Sequence, residues 1–311
     1  MKSVKKWSIM SVEIVDVADL DCIYLSYDEP KKEEFWIKIQ NMVPWAKRVD
    51  GVKGSDAAHK AAADASDTER FILIDGDNLP NPEFFNLQLH LDDSNRTKVF
   101  RWKARNEING LQYGNGGMSC WTKEFVYNMK THEASDGSAA NDVEFCFYPD
   151  YWAMHDCYST TYPNQSPFQA WRAGFREGVK MCLDRGVKPS IEEFNERVHS
   201  RNYDHLCIWQ TVGADVENGF WAIFGARSGT AHTMLNDWWD YKDVQDFDKL
   251  AELFDGVKDY PDPVEYCREL GETLRTRLGL PIVDMDPDES RFFKHHYKSN
   301  FKNLGPMIKE C

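Results

Sequence analysis

The chain has 311 residues, enough to bury a good core as one large domain or two smaller ones. Its formal net charge of −14 argues against a general nucleic-acid binder, although a local basic stripe would suffice for a specific one. The eight cysteines form no CxxC pair, which excludes zinc-ribbon spacing, and no apolar run is long enough to span a bilayer. With no signal peptide recognisable, a reduced, cytoplasmic protein without a membrane partner is expected. The eleven tryptophans are many for this length, and some are expected to line a site for a flat or sugar-like ligand.

In chain order, Cys22 to Asp28 reads as a first strand entering a polar loop at Asp28-Glu29-Pro30. Lys31 to Val43 reads as a helix burying Phe35, Trp36, Ile39 and Val43. Trp45 to Val49 is a second strand, and Gly51 to Asp56 a loop. The Ala-rich stretch Ala57 to Ala65 is a helix with Ser55 or Asp56 as its N-cap. Four consecutive apolar residues, Phe71 to Ile74, then run into Asp75-Gly76-Asp77. Such a run suits a strand buried on both faces of a parallel sheet, and the strand–helix alternation before it indicates right-handed crossovers.

Ligands of open α/β sheets bind outside the carboxyl ends of the strands, which puts Asp75 and Asp77 at the mouth of a site. Two carboxylates this close repel unless a cation or a proton lies between them. The bland alternative is an Asp-Gly turn after a strand. An EF-hand fails here because its sixth loop position is Pro80, and the later Asp284 to Asp288 run fails likewise with Glu289.

Further on, Lys98 to Arg105 alternates, with Arg101, Lys103 and Arg105 on one strand face. That face is either solvated or turned toward a phosphate. The tight cluster Gly114-Asn115-Gly116-Gly117 implies a sharp turn or backbone close to a ligand. From Ser166 the pattern becomes helical. Ser166-Pro167 opens a helix with Gln169 as capping-box partner, buries Phe168, Trp171 and Phe175, and ends at Gly186. Gln169, Arg172 and Arg176 share another of its faces. Helices are also expected from Ser190, over Asp243 to Asp255, and over Asp262 to Leu278. The organisation read from this is a sheet domain over 1–165 and a mainly helical part over 166–311 packed on it.

The order of parts resembles a GT-A glycosyltransferase over roughly residues 20 to 160. It runs from a strand with a polar end through a Gly/Lys loop and an Ala-rich helix to Asp-Gly-Asp and a Gly-Gly segment. The stretches Arg101 to Asn106, Tyr113 to Gly117 and Phe168 to Lys180 are similar to a narrower group, the phage-type enzymes related to the TET/JBP-associated and base J glucosyltransferases. The resemblance implies an α/β, GT-A-like, mostly parallel sheet with flanking helices and a helical C-terminal part. It also implies transfer of a sugar from a nucleotide sugar, UDP-linked, to the hydroxymethyl group of a modified pyrimidine such as 5-hydroxymethylcytosine in DNA. A viral chain of this kind would work in the host cytoplasm.

The chemistry this implies can be assigned to residues. Asp75 and Asp77 would hold Mn²⁺ or Mg²⁺ at the donor diphosphate, with His155 as a further ligand in the family order. Ser26, Tyr27 and Asp28 fall where the family binds nucleobase and ribose. Lys53, Lys60 and Arg172 are candidates for the phosphates. Asn115, Gly116 and Gly117 would shape the sugar and acceptor pocket. An inverting transfer needs a base, for which Asp142 fits best among Glu133, Asp136, Asp142 and Glu144, whereas a retaining one needs none. Arg291, Lys294, His295, His296, Lys298 and Lys302, interleaved with Phe292, Phe293, Tyr297 and Phe301, offer a DNA-contacting tail or a solvated closing helix.

Three alternatives remain. One is a glycan or protein acceptor, which suits the net acidity. Another is a haloacid-dehalogenase-type phosphatase, disfavoured because Leu79 stands where that family has Thr or Val and because a credible strand lies upstream. The last is a non-catalytic sugar- or nucleic-acid-binding protein.

Overall fold

In the computed structural model the described residues are 12–129, 151–236 and 241–297. A short strand β1 (Glu13–Asp16), which the sequence reading missed, pairs antiparallel with β6 (Gln88–Leu91) at the side of the main sheet. The organising unit follows: β2 (Asp21–Ser26), α1 (Lys32–Met42), β3 (Lys47–Asp50), α2 (Ser55–Ala65) and β4 (Arg70–Asp75). Strand β2 lies between β3 and β4 and is parallel to both, as two strand–helix–strand crossovers require. Helix α2 starts earlier than expected, with Ser55 and Asp56 inside its first turn, and its N-cap is Gly54, whose φ of 94° favours glycine.

The main sheet has the order β3-β2-β4-β8-β7-β9-β5. Its remaining strands are β5 (Asn78–Pro80), β7 (Val99–Asn106), β8 (Gln112–Thr122) and β9 (Tyr151–Thr161). The expectation of a mostly parallel sheet is corrected here: β4–β8, β7–β8 and β5–β9 are antiparallel, and the sheet is mixed. Strands β7 and β8 are joined by residues 107–111 alone, too short a connection for a parallel crossover. The glycine cluster at 114–117 lies within β8 rather than in a loop, next to a register shift against β7. A short helix α3 (Lys123–Asn128) follows β8, capped by the Thr122 hydroxyl, which accepts from the Phe125 N–H.

Strand β4 is buried on both faces, as its unbroken apolar run predicts. Ile72 and Ile74 pack with Tyr24, Phe35, Ile39 and Trp102 under α1, while Phe71 and Leu73 pack with Ile23, Ala62, Ala63 and Trp121 under α2. Trp102, Trp121, Trp171 and Trp209 are fully buried, so these tryptophans serve the core and not a ligand.

From Pro167 on the elements are helical: α4 (Pro167–Met181), α5 (Phe194–Arg197), α6 (Ser200–Trp209), α7 (Gly219–Met234), α8 (Phe247–Lys258), α9 (Pro263–Leu278) and α10 (Pro287–His296). Ser166 caps α4 as expected, its hydroxyl accepting from the Gln169 N–H at 3.2 Å, but α4 ends at Met181, before Gly186. The helix expected from Ser190 is the single turn α5, and Asp246 rather than Asp243 caps α8. Helices α6 and α7 were not anticipated.

Helices α4 and α7 cross with their backbones in contact through Gly174 and Gly178 on one side and Gly225 and Gly229 on the other. Arg227 of α7, fully buried, donates to the carbonyls of Gln210, Cys267 and Val283 and pairs with Asp284 at 2.6 Å, tying α6, α9 and the segment after it together. No helix among the described residues is long and apolar enough to cross a membrane.

Candidate functional site

The carboxyl ends of β2, β3 and β4 share one edge: Ser26 lies opposite Asp50, and Leu25 opposite Asp75. Beyond that edge Asp75-Gly76-Asp77 turns under the loop of Glu29. The turn is held from below by Tyr24, a fully buried residue of β2 stacked on Trp36. The Tyr24 hydroxyl donates to the Gly76 carbonyl at 2.8 Å. Gly76 is not left-handed; a Cβ there would lie 2.5 Å from the Glu29 carboxylate, so any side chain would displace Glu29 from the turn. Glu29 is itself fixed by the Tyr27 N–H, which donates to its Oε2 at 2.7 Å.

Three carboxyls therefore crowd one mouth, and each is pushed toward its neutral form. Burial, then the charges of Asp77 and Glu29, raise Asp75 to about 7 against the pull of Arg101. Burial raises Asp77, partly offset by the Thr161 hydroxyl, which donates to its Oδ2 at 3.2 Å, and by the charge of Arg172. Burial, with the charges of Asp77 and Asp28, raises Glu29 although backbone N–H groups oppose it. Asp77 is anchored through its backbone too, since its carbonyl accepts from the Tyr162 N–H at 2.8 Å just beyond β9. Gly117 closes the opposite wall. It is left-handed, with φ of 75°, and a Cβ there would lie 3.0 Å from the Asp75 carboxylate and 2.5 Å from the Asn78 amide.

Arginines approach from both sides. Arg101 of β7 lies over the Tyr151 ring at 4.9 Å. Arg172 of α4 lies between Phe247 at 4.0 Å and Phe168 at 5.3 Å. Burial and the neighbouring Arg176 disfavour the Arg172 charge, while Asp28, Asp77 and Glu29 favour it.

The structure thus brings together Asp75, Asp77, Gly117 and Arg172 of the residues expected from the sequence, puts the charge of Arg101 from the cationic strand face close to Asp75, and adds Glu29, Thr161 and Tyr24, which the sequence reading did not place there. Tyr27 and Asp28 are exposed on the same edge. Ser26 is there but committed elsewhere: its buried hydroxyl donates to Asp50 at 2.7 Å and accepts from Arg48 at 3.0 Å, inside an ion network with Lys32. Lys53 is exposed in the loop between β3 and α2, and Lys60 pairs with Asp56 at 2.7 Å one turn along α2.

His155 is exposed on β9, a strand separated from β4 by β8 and β7. Asn115 and Gly116 precede Gly117 along β8. Asp142, with Glu133, Asp136 and Glu144, lies outside the described residues. In the described part of the expected basic tail, Lys294 pairs with Asp215 at 2.6 Å with both side chains nearly buried, and Arg291 pairs with Asp288 at 2.6 Å. Lys298 and Lys302 lie outside the described residues.

Among the described residues no three His, Cys, Asp or Glu side chains stand as a ready metal cage. A hard divalent cation such as Mg²⁺ needs only one or two protein carboxylates and fills its shell with water and substrate phosphate. The oxygen donors of Asp75 and Asp77 fit such an ion, whose charge would offset the repulsion that now favours their protonation. A scan against protein-family models finds no match for the chain, and a search of curated proteins finds none either.

The Tyr24 contact makes the turn testable by itself. Tyr24→Phe leaves the Gly76 carbonyl without its buried donor and is expected to destabilise the fold by about 1–2 kcal/mol in urea unfolding. It is also expected to weaken divalent-cation binding. Wild-type values in both measurements would show that the hydroxyl does not hold the turn.

Proposed function

We propose that the protein is a metal-dependent glycosyltransferase that moves a sugar from a nucleotide sugar, UDP-linked, to the hydroxymethyl group of a modified pyrimidine, 5-hydroxymethylcytosine, in DNA. The observation that carries the reading is the half-buried Asp75/Asp77 pair at the carboxyl edge of parallel strands, with the charges of Arg101 and Arg172 close by. Carboxylates alone would serve a cation, and arginines alone an anion. Both together suit a cation bound with a diphosphate.

In this reading Asp75 and Asp77 hold Mn²⁺ or Mg²⁺, which when bound supplies Lewis-acid stabilisation to the departing diphosphate. Thr161 and the Tyr162 N–H orient Asp77, and Tyr24 and Glu29 set the turn between the two aspartates. Arg172 meets negative charge gathering on the leaving phosphate. The bond from the sugar's anomeric carbon to the diphosphate breaks, a bond to the acceptor oxygen forms, and the hydroxyl proton passes to a base, for which Asp142 is the candidate in an inverting transfer. The DNA acceptor rests on the resemblance and on the cationic strand β7, where Arg105 is exposed; the engaged Lys294 leaves the closing helix a smaller role.

The test is mass spectrometry of hydroxymethylated DNA incubated with the protein, Mn²⁺ and a panel of nucleotide sugars. The expected product carries one added glycosyl group per modified base, and DNA affinity is expected to fall steeply with salt. No product on DNA, with transfer to a glycan or peptide instead, would move the acceptor and keep the reaction. A phosphoenzyme on Asp75 would replace the reaction itself with phosphate hydrolysis.

A further inference from the structure

We infer that Arg172 and Arg176, one turn apart on α4 and both lying against Phe247, form a clamp for the diphosphate of a nucleoside diphosphate; the inference rests on the sugar-nucleotide reading above and names the side chains that seat the leaving group. The Arg172 guanidinium lies 4.0 Å from the centre of the Phe247 ring and 5.3 Å from that of Phe168. Arg176 lies 5.5 Å from the same Phe247 ring and donates to the Gln245 side chain at 3.2 Å.

Two cations at this spacing on one helix repel each other, and the neighbouring Glu177 carboxylate acts on Arg176. Arg172 also makes no ion pair and no hydrogen bond among the described residues, although a half-buried guanidinium is ordinarily paired. The carboxylates whose charge it feels are close, yet Asp77 takes its hydrogen bond from Thr161 instead.

An arginine kept to neutralise Asp77 would bond to it directly. This one lies against two aromatic rings and feels the charge of Asp77, a member of a carboxylate pair suited to a divalent cation. A diphosphate accounts for both halves of the arrangement. Its oxygens can accept the planar fork of a guanidinium in pairs and can complete the shell of a cation on Asp75 and Asp77. A single carboxylate or a sugar hydroxyl would satisfy only one half.

The experiment is equilibrium binding of UDP, GDP and ADP, each with Mg²⁺, together with inorganic pyrophosphate, the parent nucleosides and a hydroxymethylated DNA duplex. It uses the full chain and its Arg172→Gln, Arg172→Lys and Arg176→Gln variants. The nucleotide that the wild type binds is expected to lose roughly 10- to 100-fold in affinity with Arg172→Gln and with Arg176→Gln, and less with Arg172→Lys, which keeps the charge without the fork. Affinity for the parent nucleoside and for DNA is expected to stay unchanged. Equal nucleotide affinity in wild type and variants would overturn the clamp and leave the sugar-nucleotide reading standing. Lost DNA affinity with intact nucleotide affinity would also overturn it, making this helix face a contact for the DNA backbone. A wild type that binds neither pyrophosphate nor any of the three nucleotides would overturn both.

Discussion

Asp77→Asn is expected to lower sugar transfer by a thousand-fold or more while the protein stays folded. The substitution keeps the shape and the Thr161 contact but removes the charge that would hold a cation beside the donor diphosphate. EDTA is expected to do the same, reversibly on adding Mn²⁺.

The neighbouring Asp75→Asn gives a second reading of the same site that needs no substrate. In the unfolded chain the Asp75 carboxyl titrates near its ordinary value of about 4, whereas in the fold it titrates at about 7. Between those values the folded state holds a proton that the unfolded state has released. The stability this carboxyl contributes is therefore complete below about pH 4 and is lost as pH rises through about 7. An asparagine does not titrate. With EDTA present, Asp75→Asn is expected to match the wild type near pH 4 and to exceed it at pH 8, by on the order of 3–4 kcal/mol. Mn²⁺ is expected to stabilise the wild type at pH 8 and close that gap, because an ion bound only by the folded state adds stability by mass action. Thermal unfolding at both pH values, with and without metal, measures all of this. A variant no more stable than wild type at pH 8 in EDTA would mean the pair carries no strain for a cation to relieve. Full transfer activity in EDTA would remove the metal from the reaction.

What could be read from the sequence and what could not follows from where each signal lies. Asp75 and Asp77 were legible because four consecutive apolar residues before them define a doubly buried strand, and its end has one natural place in an α/β sheet. The partners that set their chemistry were not. Glu29 arrives from the end of β2, Thr161 from the end of β9, and Tyr24 from beneath, and only strand pairing joins them. Strand β9 itself was hidden: Tyr151 to Thr161 shows no clean alternation, and its register against β7 shifts twice.

The mixed sheet was hidden for a related reason. Crossover helices announce parallel neighbours, but a strand such as β8 reads the same in either direction. The tail, read as a DNA contact or as a closing helix, is helix α10 in its described part, and what the sequence did not show is that Lys294 folds back to Asp215. Helix α7 escaped because a helix apolar all round has no stripe to detect, and three glycines within Gly219–Met234 suppress its propensity.

Those glycines make the second large effect. Gly225→Ala is expected to destabilise the protein by about 3 kcal/mol or more, at the upper end for an overpacked core. A Cβ at Gly225 would overlap the Trp171 carbonyl, and one at Gly229 the Phe175 carbonyl; in return Gly174 faces the Ala222 carbonyl and Gly178 the Ala226 carbonyl. Backbone cannot rotate aside as a side chain can, so even one methyl group has to part α4 from α7. Parting them loosens Trp171 and Phe175, which pack with Phe224 and Phe254 in the core of the helical half.

The same movement would reach the site, because α4 carries Arg172 between the two core residues. Transfer activity is therefore expected to fall further than stability alone explains, through weaker binding of the nucleotide. Gly256→Ala supplies the control. That glycine lies within α8, where an added Cβ meets nothing within 4 Å. There alanine favours the helix, and a gain of about 0.5–1 kcal/mol is expected. Chemical denaturation of the two variants beside the wild type decides the matter. Gly225→Ala as stable as wild type would show that α4 and α7 do not cross in backbone contact, and the placement of Arg172 beside Asp77 would lose its support.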